Sequence, residues 1–334
     1  MPRHVARPRP LRPAQLGASP RLTRRYVLGG LVAAPAAATI LAGCGESAST
    51  ATATTSTTAG GATTTTAAGG AAATSAAAGS WASGGTDLIS VAYPDDSIFS
   101  SATTCEVALT EATTEGPCYF QMDTGEDISQ GKTGLPMQLC VQLVDQSCNP
   151  LEGYVIEAWH CDTRGVYSGD TSESGDASSF AGDFCTAGDA EAEAATYFRG
   201  QLTTGANGRV DFKTCFPGWY AGRTIHIHFA VSDPDGTTRV ISQWCFPDEF
   251  TAAICTTHDL YADRGVQDTP LSGGTDTVFP SGDYDTYMLD LEQNSDGTLL
   301  GYGVIMIDPD SVATEAAGGA GGGGAPGGDR PERP

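Results

Sequence analysis

Two histidines separated by one residue, His226-Ile227-His228, with Tyr220 and Arg223 just upstream, place several chemically capable side chains within a few positions of one another. From Thr224 to Ser232 apolar residues alternate with others, which predicts a strand whose side chains point to opposite faces in turn. Ile225, Ile227, Phe229 and Val231 then share a face fit for burial. His226 and His228 share the other, with both imidazoles aimed at one volume. Tyr220 follows the Pro217-Gly218 turn six residues before the first histidine, with Arg223 between them. Two imidazoles, a phenol and a guanidinium suit a hard, oxidised metal and an anionic oxygen ligand. The competing reading is a surface strand with two polar residues, because a His-X-His pair alone has modest specificity.

The rest of the chain must fold so as to position these groups, and it reads as short strands and turns. Met137, Leu139, Val141 and Leu143 alternate with Gln138, Cys140 and Gln142, a strand closed by the turn residues Ser147 to Pro150. Gly153 to Trp159 reads as a second strand. Phe198 to Thr204 leads through the turn dipeptide Asn207-Gly208 into Val210 to Lys213. Asp233-Pro234-Asp235-Gly236 predicts a hairpin from the His-X-His strand to a return strand, Thr238 to Phe246, which carries Gln243. Phe250 to Gly265 reads as helical, and Asp283 to Glu292 and Leu299 to Ile307 as closing strands. Many short strands, regular turns, little helix and no internal repeat predict a mainly β single domain, an antiparallel, immunoglobulin-like β-sandwich with long loops. Thr171 to Glu193 is an acidic stretch rich in Ser, Ala and Gly, long enough for a functional insertion over an opening.

The ends of the 334-residue chain differ in composition from this middle. Residues 1–43 hold seven Arg and no acid, and Arg24-Arg25 precedes the apolar run Val27 to Leu41. The run ends in Leu41-Ala42-Gly43-Cys44, which resembles a bacterial lipobox, and the twin arginine resembles a Tat-type export address. The expectation is an exported protein, lipidated at Cys44 and anchored to the outer face of the cytoplasmic membrane; the run is short and rich in Ala and Gly for a spanning helix. Residues 44–85 form a low-complexity Ala, Thr, Gly and Ser tether, 86–312 the folded domain, and 313–334 a Gly-rich tail too polar to pack. The whole chain carries a net charge of −23; without residues 1–43 it has 10 basic against 40 acidic residues, a net charge of −30. So acidic a surface excludes nucleic-acid binding and suits a domain held off the membrane except through its anchor.

Nine cysteines follow Cys44: Cys105, Cys118, Cys140, Cys148, Cys161, Cys185, Cys215, Cys245 and Cys255. In an exported domain without a Cys-X-X-Cys pair this density predicts disulfides rather than zinc. The odd number leaves at least one thiol outside any pair within the domain.

Four ordered motifs sharpen the functional reading. Trp159-His160-Cys161-Asp162-Thr163-Arg164-Gly165-Val166-Tyr167-Ser168 resembles a stretch of the intradiol ring-cleavage dioxygenases. Arg199-Gly200-Gln201 to Phe212 is similar to the family's next block. Pro217-Gly218-Trp219-Tyr220 with Arg223 to His228 is similar to the one after, and Thr114-Glu115-Gly116-Pro117 to an earlier turn. The resemblance covers roughly residues 105–250, and four motifs in order are specific where any one is weak. It implies that Tyr167, Tyr220, His226 and His228 hold one Fe(III) ion, with a water or hydroxide completing the shell. It implies a catechol-type substrate bound as a dianion, attack by dioxygen and a cis,cis-muconate-type product. Tyr220 would leave the metal and take a substrate proton while Tyr167 stays. Arg223 would lie against the ring and stabilise developing negative charge, and Gln243 would assist. The ligand chemistry agrees, since phenolates are hard anionic donors that favour the oxidised ion.

The departures from the family bear on substrate. Cys118 stands where relatives often carry an aromatic residue, and the tether replaces the long helical dimerisation segment of the catechol 1,2-dioxygenase branch. His160 reads as structural, His258 as solvated on a surface helix, Trp219 and Trp244 as core, and Cys215 and Cys245 as disulfide partners. Two rivals remain: a non-catalytic, lipid-anchored binding sandwich, and a His-X-His zinc or copper protein, which would require further histidines.

Overall fold

The computed structural model describes residues 80–120, 122–169 and 184–313. Residues 1–79, which include the expected leader, Cys44 and nearly all of the expected tether, residue 121, residues 170–183 of the acidic loop and residues 314–334 lie outside the described residues. Eight described strands build two four-stranded sheets. In chain order they are β1 (Pro136–Asp145), β2 (Val155–Trp159), β3 (Arg199–Thr203), β4 (Arg209–Cys215), β5 (His226–Ser232), β6 (Thr238–Cys245), β7 (Asp290–Gln293) and β8 (Leu299–Ile307). One sheet runs β4-β1-β8-β7, the other β3-β2-β5-β6.

The sandwich follows from the alternation in the sequence. Leu139, Val141 and Leu143 of β1, Phe212 of β4 and Ile305 and Ile307 of β8 meet Ile156 and Ala158 of β2, Ile227, Phe229 and Val231 of β5 and Trp244 of β6 in one buried cluster. Phe229 stacks on Trp244 with ring centroids 4.0 Å apart. Each large apolar side chain so buried stabilises the fold by about 1.5–3 kcal/mol. The other face of β1 is buried as well. Phe99 and Ala102, the latter in α1 (Ser100–Thr104), pack with Cys140, Val144, Leu300 and Met306. The interleaved glutamines satisfy their amides locally: Gln138 Nε2 donates to Val91 O at 3.2 Å and Gln142 Nε2 to Asn207 O at 2.9 Å.

Three expectations need correction in detail: the wholly antiparallel pairing, the length of the helix after the His-X-His hairpin and the start of the strand expected at Asp283. The β1–β8 pair is parallel, in an otherwise antiparallel set of ladders. Parallel neighbours need a long crossover, and the chain between these two strands is more than long enough to re-enter from the same end. The Asn207-Gly208 turn forms, with Gly208 N–H donating to Gly205 O at 2.8 Å, but it carries the chain from β3 in one sheet to β4 in the other. The helix after β6, α3, spans only Asp248–Thr257, and strand β7 is preceded by a 3-10 turn over Tyr284–Tyr287. Of the acidic loop, Ala190–Glu193 is a one-turn helix, α2, capped by the Asp189 carboxylate.

Two disulfides join described residues, Cys105–Cys148 and Cys118–Cys185. Cys140, Cys161, Cys215, Cys245 and Cys255 are buried thiols. Cys215 and Cys245 are therefore not the disulfide partners expected of them. They end β4 and β6, strands of different sheets, and Cys245 packs with Leu271, Phe279 and Tyr287.

Candidate metal centre

The β3-β2-β5-β6 sheet sets a row of side chains across its loop-covered face. Arg199 pairs with Trp159, Trp159 with His228 and His228 with Gln243 in the strand registers. Directly opposed residues in adjacent strands share a face, so these four side chains stand together. Trp159 stacks on the His228 ring at 4.9 Å and 13°, which fixes the plane of that imidazole. His226, two residues along β5, joins the same face. Its Nδ1 donates to Thr224 O at 2.6 Å, because a carbonyl can only accept, and its Nε2 therefore carries the lone pair.

Two packed loops bring in the tyrosines. Asp162 Oδ1 accepts from the backbone N–H groups of Arg164 and Val166 at 2.8 and 2.9 Å, folding the turn that leads to Tyr167. Gly218 N–H donates to Asp162 O at 3.0 Å, tying the second loop to the first. The contact tolerates no side chain at two points. A Cβ at Gly165, where φ is +78°, would lie 2.0 Å from Trp219 O, and one at Gly218 would lie 2.3 Å from Thr163 O. The spacing of the Asp-X-X-Gly and Pro-Gly motifs is thus the requirement for setting Tyr167 beside Tyr220. The Tyr167 N–H donates to Cys185 O at 2.9 Å, and the Cys118–Cys185 disulfide links that strand-like segment to the chain following the Glu115-Gly116-Pro117 turn.

Four donor atoms converge. His226 Nε2 lies 3.2 Å from Tyr167 Oη, 3.2 Å from Tyr220 Oη and 3.0 Å from His228 Nε2, and His228 Nε2 lies 3.2 Å from Tyr167 Oη. Hydrogen bonds alone do not account for this. One in-plane lone pair on His226 Nε2 faces two phenols, a second imidazole nitrogen and, at 3.5 Å, Arg223 Nη1. Burial first, and then the charge of Arg223, pushes His226 down to about 3; burial, His226 and Arg223 hold His228 well below the usual imidazole range. Both rings are neutral at pH 7, the form that binds a metal. Burial raises both phenols above their ordinary value, and a bound cation reverses that preference. Donor atoms about 3 Å apart are what ligands ~2 Å from a shared ion present. The residues fit a metal, and the set is two imidazoles and two phenols. Among the described residues no group of three or more His, Cys, Asp or Glu is arranged to hold one.

Arg223 and Gln243 meet at the rim of the donor set. Arg223 Nη2 donates to Gln243 Oε1 at 2.6 Å, and Gln243 Nε2 donates to Thr114 O at 2.9 Å, so the glutamine joins the guanidinium to the Glu-Gly-Pro turn. Asp276 completes the group by accepting from Arg223 Nε at 3.0 Å. Sequence reading missed Asp276, which lies 53 residues away in a stretch of turn-forming residues. It passed over Trp159 too, although the residue sits in the recognised motif.

The other two histidines among the described residues, His160 and His258, stay outside the centre. His160 is buried, with Nδ1 2.8 Å from Cys161 O and Nε2 2.7 Å from Thr214 Oγ1, a structural role as expected. His258 is not solvated: it is 5% exposed at the end of α3, with Nε2 3.0 Å from Ala82 O. Trp244 belongs to the core, and Trp219 is partly buried against it.

Residues 114–263 match the family model described as Dioxygenase. No curated protein matches the sequence at a significant level. Among solved structures the chain is similar to an intradiol ring-cleavage dioxygenase from Tetranychus urticae, at 24% identity over 62% of this chain and 97% of that one, with a TM-score of 0.50. It is similar to the dioxygenase domain of a dioxygenase–carbohydrate-binding protein fusion from Streptomyces sp. SirexAA-E, at 21% identity over 60% and 99% of the two chains, TM-score 0.40. A third similar structure is catechol 1,2-dioxygenase from Pseudomonas arvilla C-1, at 19% identity over 65% and 70%, TM-score 0.41. The matched segment contains all four convergent donors, Arg223 and Gln243. The resemblance carried by the ordered motifs is borne out: residues 114–263 match the Dioxygenase family model, and the chain has a fold similar to that of an intradiol ring-cleavage dioxygenase.

Proposed function

We propose that Tyr167, Tyr220, His226 and His228 hold one ferric ion, and that the protein opens the ring of a catechol-type diol with dioxygen. Both oxygen atoms enter the product, a cis,cis-muconate-type diacid, so that diol plus O2 accounts for every atom. The observation that carries this reading is the crowding of two phenols and two imidazoles around a single lone pair, at 3.0–3.2 Å. A ferric ion, when bound, supplies the Lewis acidity and the template that open the ring of a diol dianion to dioxygen.

The chain's own residues do the rest. The Thr224 carbonyl and the Trp159 ring hold the two imidazoles in position. Tyr220, whose phenol oxygen lies 3.2 Å from His226 Nε2, is the residue that would take a proton from the incoming diol. Tyr167 is gripped by the Cys185 carbonyl and packs against Arg199, and it keeps its place. Arg223 presents Nη1 toward the donor set, where it opposes negative charge that grows as the ring is attacked. The surrounding cluster of Phe120, Met122, Trp159 and Ile241 excludes water and suits an apolar ring.

The test is the visible spectrum of the iron-loaded protein, followed by anaerobic addition of catechol and then air. A broad phenolate-to-iron band that shifts with catechol, then muconate absorbance on aeration, is the expected result. Iron-loaded protein that stays colourless overturns it in favour of a binding module, and zinc or copper as the native metal favours a His-X-His protein of another class. The proposal extends to location. The leader and Leu41-Ala42-Gly43-Cys44 support export and lipid anchoring, and two disulfides suit an oxidising compartment. Cys44→Ser is expected to release the protein from the membrane fraction, and unchanged fractionation removes the anchor from the account.

A further inference from the structure

We propose that Asp276 is the positioning residue for Arg223 in ring cleavage, an inference that rests on the catalytic reading of the centre. Asp276 lies beyond the segment matched to the dioxygenase family, in the loop between α3 and β7. Its side chain is 3% exposed, and four N–H donors reach its two carboxylate oxygens. Oδ2 accepts from Arg223 Nε at 3.0 Å and from Thr224 N–H at 2.8 Å. Oδ1 accepts from the backbone N–H groups of Val278 and Phe279 at 2.8 and 2.7 Å.

The arrangement fixes a planar group on two of its edges. Arg223 Nε is bound to Asp276 and Nη2 to Gln243 Oε1 at 2.6 Å, which leaves Nη1 as the nitrogen turned toward His226 Nε2 at 3.5 Å. The ring of Phe279, held by the same turn that binds Asp276, lies 5.8 Å from the guanidinium carbon. A guanidinium pinned at Nε and Nη2 has no rotation left by which Nη1 can swing away. The carboxylate also compensates a cation whose side chain is only 11% exposed, where a neutral acceptor leaves the charge unpaired. Asparagine reproduces the shape but not the chemistry. Whichever way its amide turns, the NH2 group faces either the Arg223 and Thr224 donors or the Val278 and Phe279 donors.

A four-point cycle on the full-length protein tests this, with catechol as the probe: parent, Asp276→Asn, Arg223→Ala and the double variant. Asp276→Asn is expected to keep the iron content and resting visible band of the parent. Its kcat should fall about 10- to 100-fold, the usual cost of losing a supporting contact at a metal site. KM should change less than about threefold, because the contact acts on developing charge rather than on substrate uptake. Asp276→Glu, which retains the charge, should recover part of the loss and carries the test if the asparagine variant fails to fold. In the Arg223→Ala background, Asp276→Asn should lower kcat by no more than about threefold, the mark of two residues acting as one unit. Multiplicative losses, a fully active Asp276→Asn, or iron lost in step with kcat overturns the inference. A parent protein that binds iron yet leaves catechol intact removes the catalytic reading itself, and that result is seen before any variant is made.

Discussion

Tyr167→Phe and His226→Ala are expected to remove iron and ring cleavage together. His226 Nε2 is the atom on which three of the four shortest donor contacts converge, so the alanine variant deletes the hub of the set. It also opens a void in a fully packed region, where His226 is 2% exposed, and a lower melting temperature is expected with the loss of metal. Tyr167→Phe is the cleaner experiment. It removes a single oxygen and leaves the ring in contact with Tyr220, at 5.8 Å, and beneath the Arg199 guanidinium, at 5.7 Å. Burial keeps that phenol neutral without metal, so the metal-free variant should lose no more than the contribution of one neutral hydrogen-bonding hydroxyl, about 1 kcal/mol. Its iron content after dialysis should fall by more than about 100-fold in apparent affinity, since even a supporting contact is worth 10- to 100-fold. Metal analysis, thermal melting of the apoprotein and muconate absorbance read the three effects separately. A Tyr167→Phe protein that keeps full iron and full turnover removes Tyr167 from the ligand set.

How much of this was legible beforehand depends on the range of the physical signal. The face assignment on β5 was available from alternation alone, because a period of two cannot be satisfied any other way once Ile225, Ile227, Phe229 and Val231 are buried. The proximity of Tyr167 to Tyr220 was not available from alternation. It depends on the packing of two loops at Gly165 and Gly218, and only the resemblance of the ordered motifs reported it. The parallel β1–β8 pair and the burial of His258 escaped because both are set by partners far away in sequence. The cysteines show the same limit. Cys215 and Cys245 flank the site in sequence yet sit on different sheets, while the disulfide nearest the centre joins Cys118 to Cys185 across 67 residues. Asp276 had no local signature at all, since its role consists entirely of the groups that reach it.

Arg223→Ala should separate metal binding from chemistry. A guanidinium has no lone pair to give, so its removal takes no ligand from the ion and the iron content should match the parent. What is lost is the cation facing the donor set, and the expected fall in kcat on catechol is about 100- to 1,000-fold, the range for deleting one preorganised electrostatic contact. KM should move far less, because the interaction is strongest where charge develops. The variant carries a predictable side effect. Burial works against the Asp276 carboxylate, but Arg223 and the N–H groups of Thr224, Phe279 and Val278 hold it below the usual carboxylate range. A lowered carboxyl pKa contributes stability at neutral pH that is lost as the pH falls through the folded value. Without Arg223 much of that contribution disappears, so the melting-temperature deficit of Arg223→Ala should be largest near neutrality and shrink toward acid. Adding Asp276→Asn to Arg223→Ala removes the stranded charge and should restore part of the stability without restoring turnover. Recovery of stability with catalysis still absent assigns Arg223 to the chemistry rather than to the fold, and an Arg223→Ala enzyme with parental kcat removes it from the mechanism.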